Sequence, residues 1–352
     1  MPNIPASQVR AEFTQALIAV YKERINPTAF GRSFFPTVTS ASKYVSIEVQ
    51  RGTEKIAVDV ERGAEGKKNS ISRSTEKIFL PPYYREFIDA TDLDLYDRVL
   101  SSTGSVNGSD FAELVRIISE GLMLLQGKIE RAYELQCWQV LLDGIVQLQN
   151  GTNIDFKRKA ASLVNANVSL GGYWTAAVDP FAQLAVGAQF LRQSGKAQGA
   201  VINMIAGSDA KAALYNNTKF KETADLRRVD NLSIRMPQRE SVGATTHGEF
   251  SAGDYTVRLW TYPEYYDNAS GVSTPYVDPK KVILLPESTD FRLAFAAVPR
   301  LLGDGSMTSE RGEYVFSDYI DPKHSTHEYD IKSAGVAIPV SVDKIWTAQV
   351  VA

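Results

Sequence analysis

Apolar positions along this chain recur in two periods, and each change of period marks a new element. The most regular run is 109–143. Phe111, Val115, Ile118, Leu122, Leu125, Ile129 and Ala132 recur at alternating steps of four and three, which places them along one face of a helix. Glu113, Arg116, Glu120, Lys128, Glu130 and Arg131 take the other side. No proline interrupts the run. Ser109 or Asp110 is placed to cap the first turn, and Gly144 to end the last. At about 1.5 Å per residue the helix is roughly 50 Å long. That exceeds the width of an ordinary core, so the helix is expected to cross the molecule as a beam. The heptad-like spacing also fits a coiled coil, but the pattern stops at Gln136 and strand signals follow at once.

Before the beam, Val9, Phe13, Leu17 and Val20 fall on one helical face, and an irregular segment 26–42 carries Phe30, Phe34 and Phe35. Rings in such a segment must be buried against their own domain or a neighbouring subunit, and both remain open. Val45, Ile47 and Val49 then alternate with polar residues, as do Ile56, Val58 and Val60. Between them and the return at Ile78–Leu80 lies the almost wholly polar stretch 62–77; Pro81-Pro82 stops the return strand. A flap with so polar a tip cannot build its own core. It is either a solvated loop or is ordered on another chain.

After the beam, a hairpin 145–156 turns at Asn150-Gly151. A three-residue loop, with Gly151 left-handed, puts Val146, Leu148, Thr152, Ile154 and Phe156 on one face. Residues 160–178 read as loop. Asp179-Pro180 opens a helix with Phe181, Leu184, Ala185, Ala188 and Leu191 inside. A strand at 201–205, a helix capped by Ser208 or Asp209, a polar connection over 216–251 and a strand at 255–261 complete an α+β block. From Val282 onward the chain is strand-rich, with short runs around 282–285, 291–295, 314–316, 329–331 and 336–351.

Composition narrows the function classes. The 352 residues are 44% hydrophobic, and 38 Lys+Arg against 41 Asp+Glu leave a formal charge of -3. That balance gives no global pull toward nucleic acid or anionic membrane. The single cysteine, Cys137, forbids an internal disulfide and reads as a small buried helix residue. Met1–Arg10 lacks the order of a signal peptide, and no apolar run approaches the ~20 residues of a membrane span. A soluble protein made in the cytoplasm is expected.

Candidate chemistry is thin. His324 and His327 lack a third metal ligand at a recognisable spacing, and Asp89, Asp92, Asp94 and Asp97 read as a helix start rather than a calcium loop. There is no phosphate-binding loop, no G-x-G-x-x-G after a strand and no G-x-S-x-G elbow. No catalytic, cofactor-binding or metal residue is therefore assigned. Basic residues gather at Arg62, Lys67, Lys68 and Arg73, and at Lys219, Lys221, Arg227 and Arg228, with acids interspersed.

The ordered set of elements resembles the major head proteins of tailed phages, in particular the lambda-type E family. The resemblance runs through Phe30-Gly31-Arg32-Ser33-Phe34-Phe35-Pro36 before Tyr44-Val45-Ser46-Ile47, then Arg62-Gly63 and Pro82-Tyr83-Tyr84. It continues in the long helix with its Asn150-Gly151 hairpin, in Val201–Ile205 leading to the Asp209 helix, and in Ile338-Pro339-Val340, Asp343 and Val350. It implies an α+β fold of the Hong Kong phage type. The parts would be an N-terminal arm (1–42), an extended β-hairpin flap (43–88), a peripheral domain with the spine helix (89–176), an axial domain (177–275) and the peripheral C-terminal strands (276–352).

The implied function is a non-enzymatic subunit that self-assembles into the icosahedral head shell around a phage genome, in the virion, after assembly in the host bacterial cytoplasm. Implied partners are copies of itself as hexamers and pentamers, a separate scaffold, a portal and a decoration protein, with double-stranded DNA touched non-specifically at most. No cofactor and no membrane are implied. Candidate inter-subunit contacts are Phe30, Phe34, Phe35, Arg51, Arg62, Lys67, Lys68, Arg73 and Lys77. The alternatives are an encapsulin-like nanocompartment shell and a soluble enzyme with an unrecognised site. Deleting 62–77 is expected to leave a folded, assembly-defective chain.

Overall fold

The computed structural model describes residues 29–49, 75–91, 108–148, 151–175, 177–199, 201–225, 232–240, 243–268, 270–301, 306–321 and 326–352. The beam is one helix of 35 residues, Gly108–Leu142, about 52 Å long. Ile118, Leu122, Leu125 and Ile129 are buried, and Arg116, Glu120, Lys128 and Arg131 are exposed, as the spacing predicts. Glu130 departs from the prediction, because it is buried. From Tyr133 onward the helix is largely enclosed: Tyr133, Cys137, Trp138, Val140 and Leu141 are all 0% exposed, and only Leu135 and Gln139 are partly open. An amphipathic pattern fades where a helix enters the core and has no wet face. The break at Gln136 therefore marks immersion, not a helix end. The helix packs on the strands Thr326–Ser333 and Gly335–Pro339 of its own chain, as a single beam.

The helix begins at Gly108, so neither Ser109 nor Asp110 stands before its first turn. Its end is built as predicted. Gly144 has φ +73 and its N–H reaches the carbonyls of Gln139 and Val140, both at 3.1 Å. In the hairpin that follows, Ile145–Gln147 pairs with Asn153–Asp155, Val146 opposite Ile154. The Leu148 N–H donates to the Thr152 carbonyl at 3.2 Å, and Gly151 has φ +83. This is the three-residue register, with Val146 and Phe156 buried.

One seven-stranded sheet runs in the order Leu163–Asn165, Trp346–Gln349, Lys281–Pro286, Val201–Ala206, Tyr255–Thr261, Thr245–Ala252, Leu232–Arg239. It corrects two expectations. The segment 160–178 is not loop throughout: Leu163–Asn165 is an edge strand, followed by a helical turn Ala166–Ser169. The stretch 216–251 is not mostly connection, for it holds the helix Thr218–Asp225 and the two strands Leu232–Arg239 and Thr245–Ala252. Within this sheet Val201–Ala206 pairs directly with Lys281–Pro286, on the two sides of residue 275.

The Asp179-Pro180 start is borne out, with the Asp179 carboxylate accepting from the Phe181 N–H at 2.9 Å. The helix Ser208–Asn216 has Gly207 at its cap and no side-chain cap, so Ser208 and Asp209 do not cap it.

The flap base is the antiparallel pair Val45–Val49 and Thr75–Phe79. Tyr84–Thr91, read as the end of the flap, joins a three-stranded sheet with Thr326–Ser333 and Val315–Asp321. That sheet lies on the long helix, where Gly121 leaves room for the Ile88 side chain; a Cβ there would stand 2.5 Å from Ile88 Cδ1. The predicted 9–20 helix, the Ile56–Val60 strand, the flap tip and the acidic residues Asp92, Asp94 and Asp97 lie outside the described residues.

Candidate assembly interface

Two neighbouring features distinguish this molecule: the mount of its arm and the uncovered base of its flap. The arm motif forms a helical turn, Phe30–Ser33, seated on the enclosed part of the long helix. Its first amides would be unsatisfied in isolation. The Glu134 carboxylate takes them, Oε1 accepting from Gly31 N at 2.8 Å and Oε2 from Arg32 N at 2.9 Å. The Trp138 indole N–H donates to the same Oε1 at 2.7 Å. Burial pushes the Glu134 carboxyl above its ordinary range, and these donors pull it back down. Gly31 is required for the approach, because a Cβ would stand 2.8 Å from Trp138 Nε1. Arg32 extends away from the helix to Glu313 and to the Tyr314 hydroxyl.

The aromatic candidates serve this mount. Phe30 is 5% exposed, with its ring 5.0 Å from Phe34, 5.5 Å from Trp260 and 5.9 Å from Tyr262. Phe35 is 1% exposed and stacks on Phe291 at 5.1 Å. Of the two placements left open by sequence, these rings take their own domain. Phe30 and Phe35 are buried within the chain itself, and Phe34 is half-buried against the same cluster. Arg51, Arg62, Lys67, Lys68 and Arg73 lie outside the described residues. Lys77 stands opposite Ile47 in the flap ladder, and nothing further of its side chain is described.

The flap base differs. Tyr44, Ile78, Leu80, Tyr83 and Phe87 are between 49% and 64% exposed. Behind them a groove runs between the long helix, the start of the Tyr84–Thr91 strand and the hairpin, with Tyr84, Ile129, Leu135 and Leu148 in its walls. On the outward face of the three-stranded sheet, beside Phe87, sits a closed charge network. Asp330 accepts from Arg85 Nε at 2.8 Å and pairs with Lys332 Nζ at 2.9 Å, and Lys332 donates to Ser317 at 2.7 Å.

The remaining reactive groups are structural in their settings. Cys137 is fully buried and burial pushes its thiol well up, so it stays protonated. His247 is buried against Thr261, 2.8 Å away. His324 and the side chain of His327 are not among the described parts. Among the described residues no group of three or more His, Cys, Asp or Glu is placed to hold a metal ion, and no helix is long and apolar enough to cross a membrane.

A cavity of about 400 Å³ lies beside the helix Ser208–Asn216, walled by Tyr215, Tyr262 and Tyr265. The Asp209 and Ala210 amides at that helix start are already spent on the Pro279 carbonyl at 3.0 Å.

The model of the phage major capsid protein E family matches residues 13–350. The chain belongs to that family. A capsid protein of a prophage from E. coli CFT073 has a similar structure, with a TM-score of 0.63 at 14% identity, over 97% of this chain and 99% of that one. A phage-related protein from Bordetella bronchiseptica RB50 is similar at a TM-score of 0.52 and 11% identity, over 95% of each chain. Comparison with curated proteins returns no match.

The fold is thus the Hong Kong phage-type capsid fold, mixed helix and sheet, and this capsid subunit has a structural role in a phage head shell. Of the residues that build the mount of the arm, sequence reasoning had Phe30, Phe34 and Phe35 but missed Glu134, Trp138 and Tyr262. The available signal was a glutamate, Glu134, among the bulky apolar residues Tyr133, Leu135, Cys137 and Trp138, where a charge has no solvent face to occupy.

Proposed function

We propose that this capsid subunit acts by assembly alone, without catalysis, as hexamers and pentamers closing into an icosahedral shell around a double-stranded DNA genome. The flap, residues 43–88, lies over a neighbouring copy, and the arm, 1–42, reaches one from its fixed root. A separate scaffold, a portal and a decoration protein attend the shell, which forms in the host bacterial cytoplasm. Packaged DNA is met without sequence preference, consistent with a formal charge of -3.

The observation that carries this reading is the exposure of large apolar side chains around the flap base. Tyr44, Ile78 and Leu80 at the two-stranded base, and Tyr83 and Phe87 where the chain enters the next sheet, are each about half-exposed, and large apolar side chains exposed together mark an interaction surface. Covering the open half of each contributes about 1 kcal/mol per side chain. That is roughly 5 kcal/mol per interface, repeated around every capsomer.

The test is Ile78→Asp combined with Leu80→Asp. Both positions are more than half exposed, so the variant subunit is expected to fold with an unchanged melting point and to yield at least ten-fold fewer shells by electron microscopy. Normal shells from this variant overturn the reading.

A further inference from the structure

We propose that Glu134 is a positioning residue for assembly: it fixes the root of the arm in one orientation on the protomer before any neighbour is met. The inference rests on the reading that the arm reaches a neighbouring copy.

Glu134 is 3% exposed on the enclosed stretch of the long helix. Its two oxygens accept from two consecutive backbone amides, Gly31 and Arg32, at 2.8 and 2.9 Å. A carboxylate gripping adjacent N–H groups allows one orientation of the turn that carries them. Trp138, one helical turn further on, holds the shared oxygen from the other side. Arg32 is then tied outward to Glu313, so the turn is held from both flanks.

The chain just after the turn is fixed as well. Thr37–Thr39 runs parallel to Phe291–Phe295, the Leu293 N–H donates to the Pro36 carbonyl at 3.0 Å, and the Ser40 N–H to the Phe295 carbonyl at 2.7 Å. Ala29, the first described residue of the arm, is therefore joined to a rigid mount.

Stability alone does not account for a carboxylate here. Burying it costs free energy, and its own carboxyl is pushed toward the neutral form. The rings of Phe30, Trp138, Trp260 and Tyr262 already glue the turn down. Aromatic packing tolerates sliding and rotation; two charge-assisted bonds to successive amides do not. The carboxylate supplies direction where the rings supply adhesion.

The test is Glu134→Gln in the full chain. Glutamine has the same shape and keeps one acceptor, but its amide N–H₂ faces the second backbone N–H, donor against donor. Hydrogen exchange followed by mass spectrometry is read on the free subunit over 29–36, with 281–286 as an internal control. The variant is expected to lose at least ten-fold protection over 29–36 and none over 281–286, and its yield of closed shells is expected to fall at least ten-fold. A chain starting at residue 29 is the companion variant, also expected to lose shells. Unchanged protection over 29–36, or normal shells despite lost protection, overturns the role of Glu134. If Glu134→Gln unfolds the subunit, Arg32→Met, which leaves the two amide bonds in place, decides: retained protection supports the role and lost protection overturns it. Normal shells from the shortened chain instead overturn the arm's part in the proposed function.

Discussion

Arg158→Met should destabilise the unassembled subunit by about 3 kcal/mol, which follows from the bonds its guanidinium makes. Arg158 reaches the end of the long helix and donates from Nη1 to the carbonyls of Leu141 and Leu142, at 3.0 and 3.1 Å. These are among the carbonyls that a helix end leaves without partners. Nη2 donates to the Ser162 and Ile345 carbonyls at 2.9 and 3.2 Å and to Thr347 Oγ1 at 3.1 Å; Nε donates to Ser162 Oγ at 3.3 Å. One side chain thus ties the helix end to the start of the Leu163–Asn165 strand and to the C-terminal strand Trp346–Gln349.

Against this stands the cost of burying the charge. Desolvation pushes the guanidinium down to about 10, with Asp143 as its nearby opposite charge, a cost of about 3 kcal/mol. The group remains charged at neutral pH. Nη1 and Nη2 share their N–H groups among five acceptors, so each of the six bonds is taken at about 1 kcal/mol, below the ~1.5–3 kcal/mol of an unshared charged donor. The balance left after desolvation is about 3 kcal/mol. Methionine fills the same volume and supplies no donor. Arg158→Lys keeps the charge without the planar fork, and should lose about 2 kcal/mol. Urea unfolding of unassembled protein, followed by tryptophan fluorescence, measures both. A loss under 1 kcal/mol for Arg158→Met would refute the reasoning, because it would mean that the helix end finds other partners at no cost.

Further outcomes are expected. His247 is buried beside Thr261, the Tyr215 ring and Lys211, and is pushed down to about 4, first by burial and then by Lys211. Its neutral form is the folded one, so stability is full above about pH 6.5 and falls as pH drops from there toward 4, by on the order of 1–2 kcal/mol. His247→Gln should flatten that part of the pH–stability curve; an unchanged slope would contradict the assignment. Cys137 should resist a thiol reagent at pH 8 in the folded subunit and react at once in denaturant; rapid native labelling would contradict its burial. Deletion of residues 62–77 should leave the subunit's circular dichroism unchanged and abolish shells, whereas normal shells would remove the flap from the account.

What was legible in the sequence was whatever rests on local pattern. The beam, the Asn150-Gly151 register, the Asp179 cap and the strands at 201–206 and 281–286 follow from spacing and turn chemistry within a few residues. The misses share a cause. Thr218–Asp225 carries a single large apolar residue, Phe220, and Thr245–Ala252 reads TTHGEFSA, with a bulge between Thr246 and Gly248 that breaks its alternation. Such elements are held by long-range neighbours, the strands on either side, and not by their own composition. Leu163–Asn165 is three residues long and exists because Trp346–Gln349 lies beside it in parallel.

The polar residues that organise the core were hidden for the same reason. Glu134 and Arg158 take their meaning from amides and carbonyls more than a hundred residues away or across a helix end, and no sequence window contains both partners. The rings of the arm motif were legible as buried, but whether by their own chain or a neighbour depended on the position of Trp138, Trp260 and Tyr262.

In the assembled shell a neighbouring copy should cover the flap base, and a cryo-electron microscopy map decides it. Ile78, Leu80, Tyr83 and Phe87, about half-exposed on the single chain, are expected to lie against protein from an adjacent subunit in every capsomer. A map in which these side chains face solvent would contradict it.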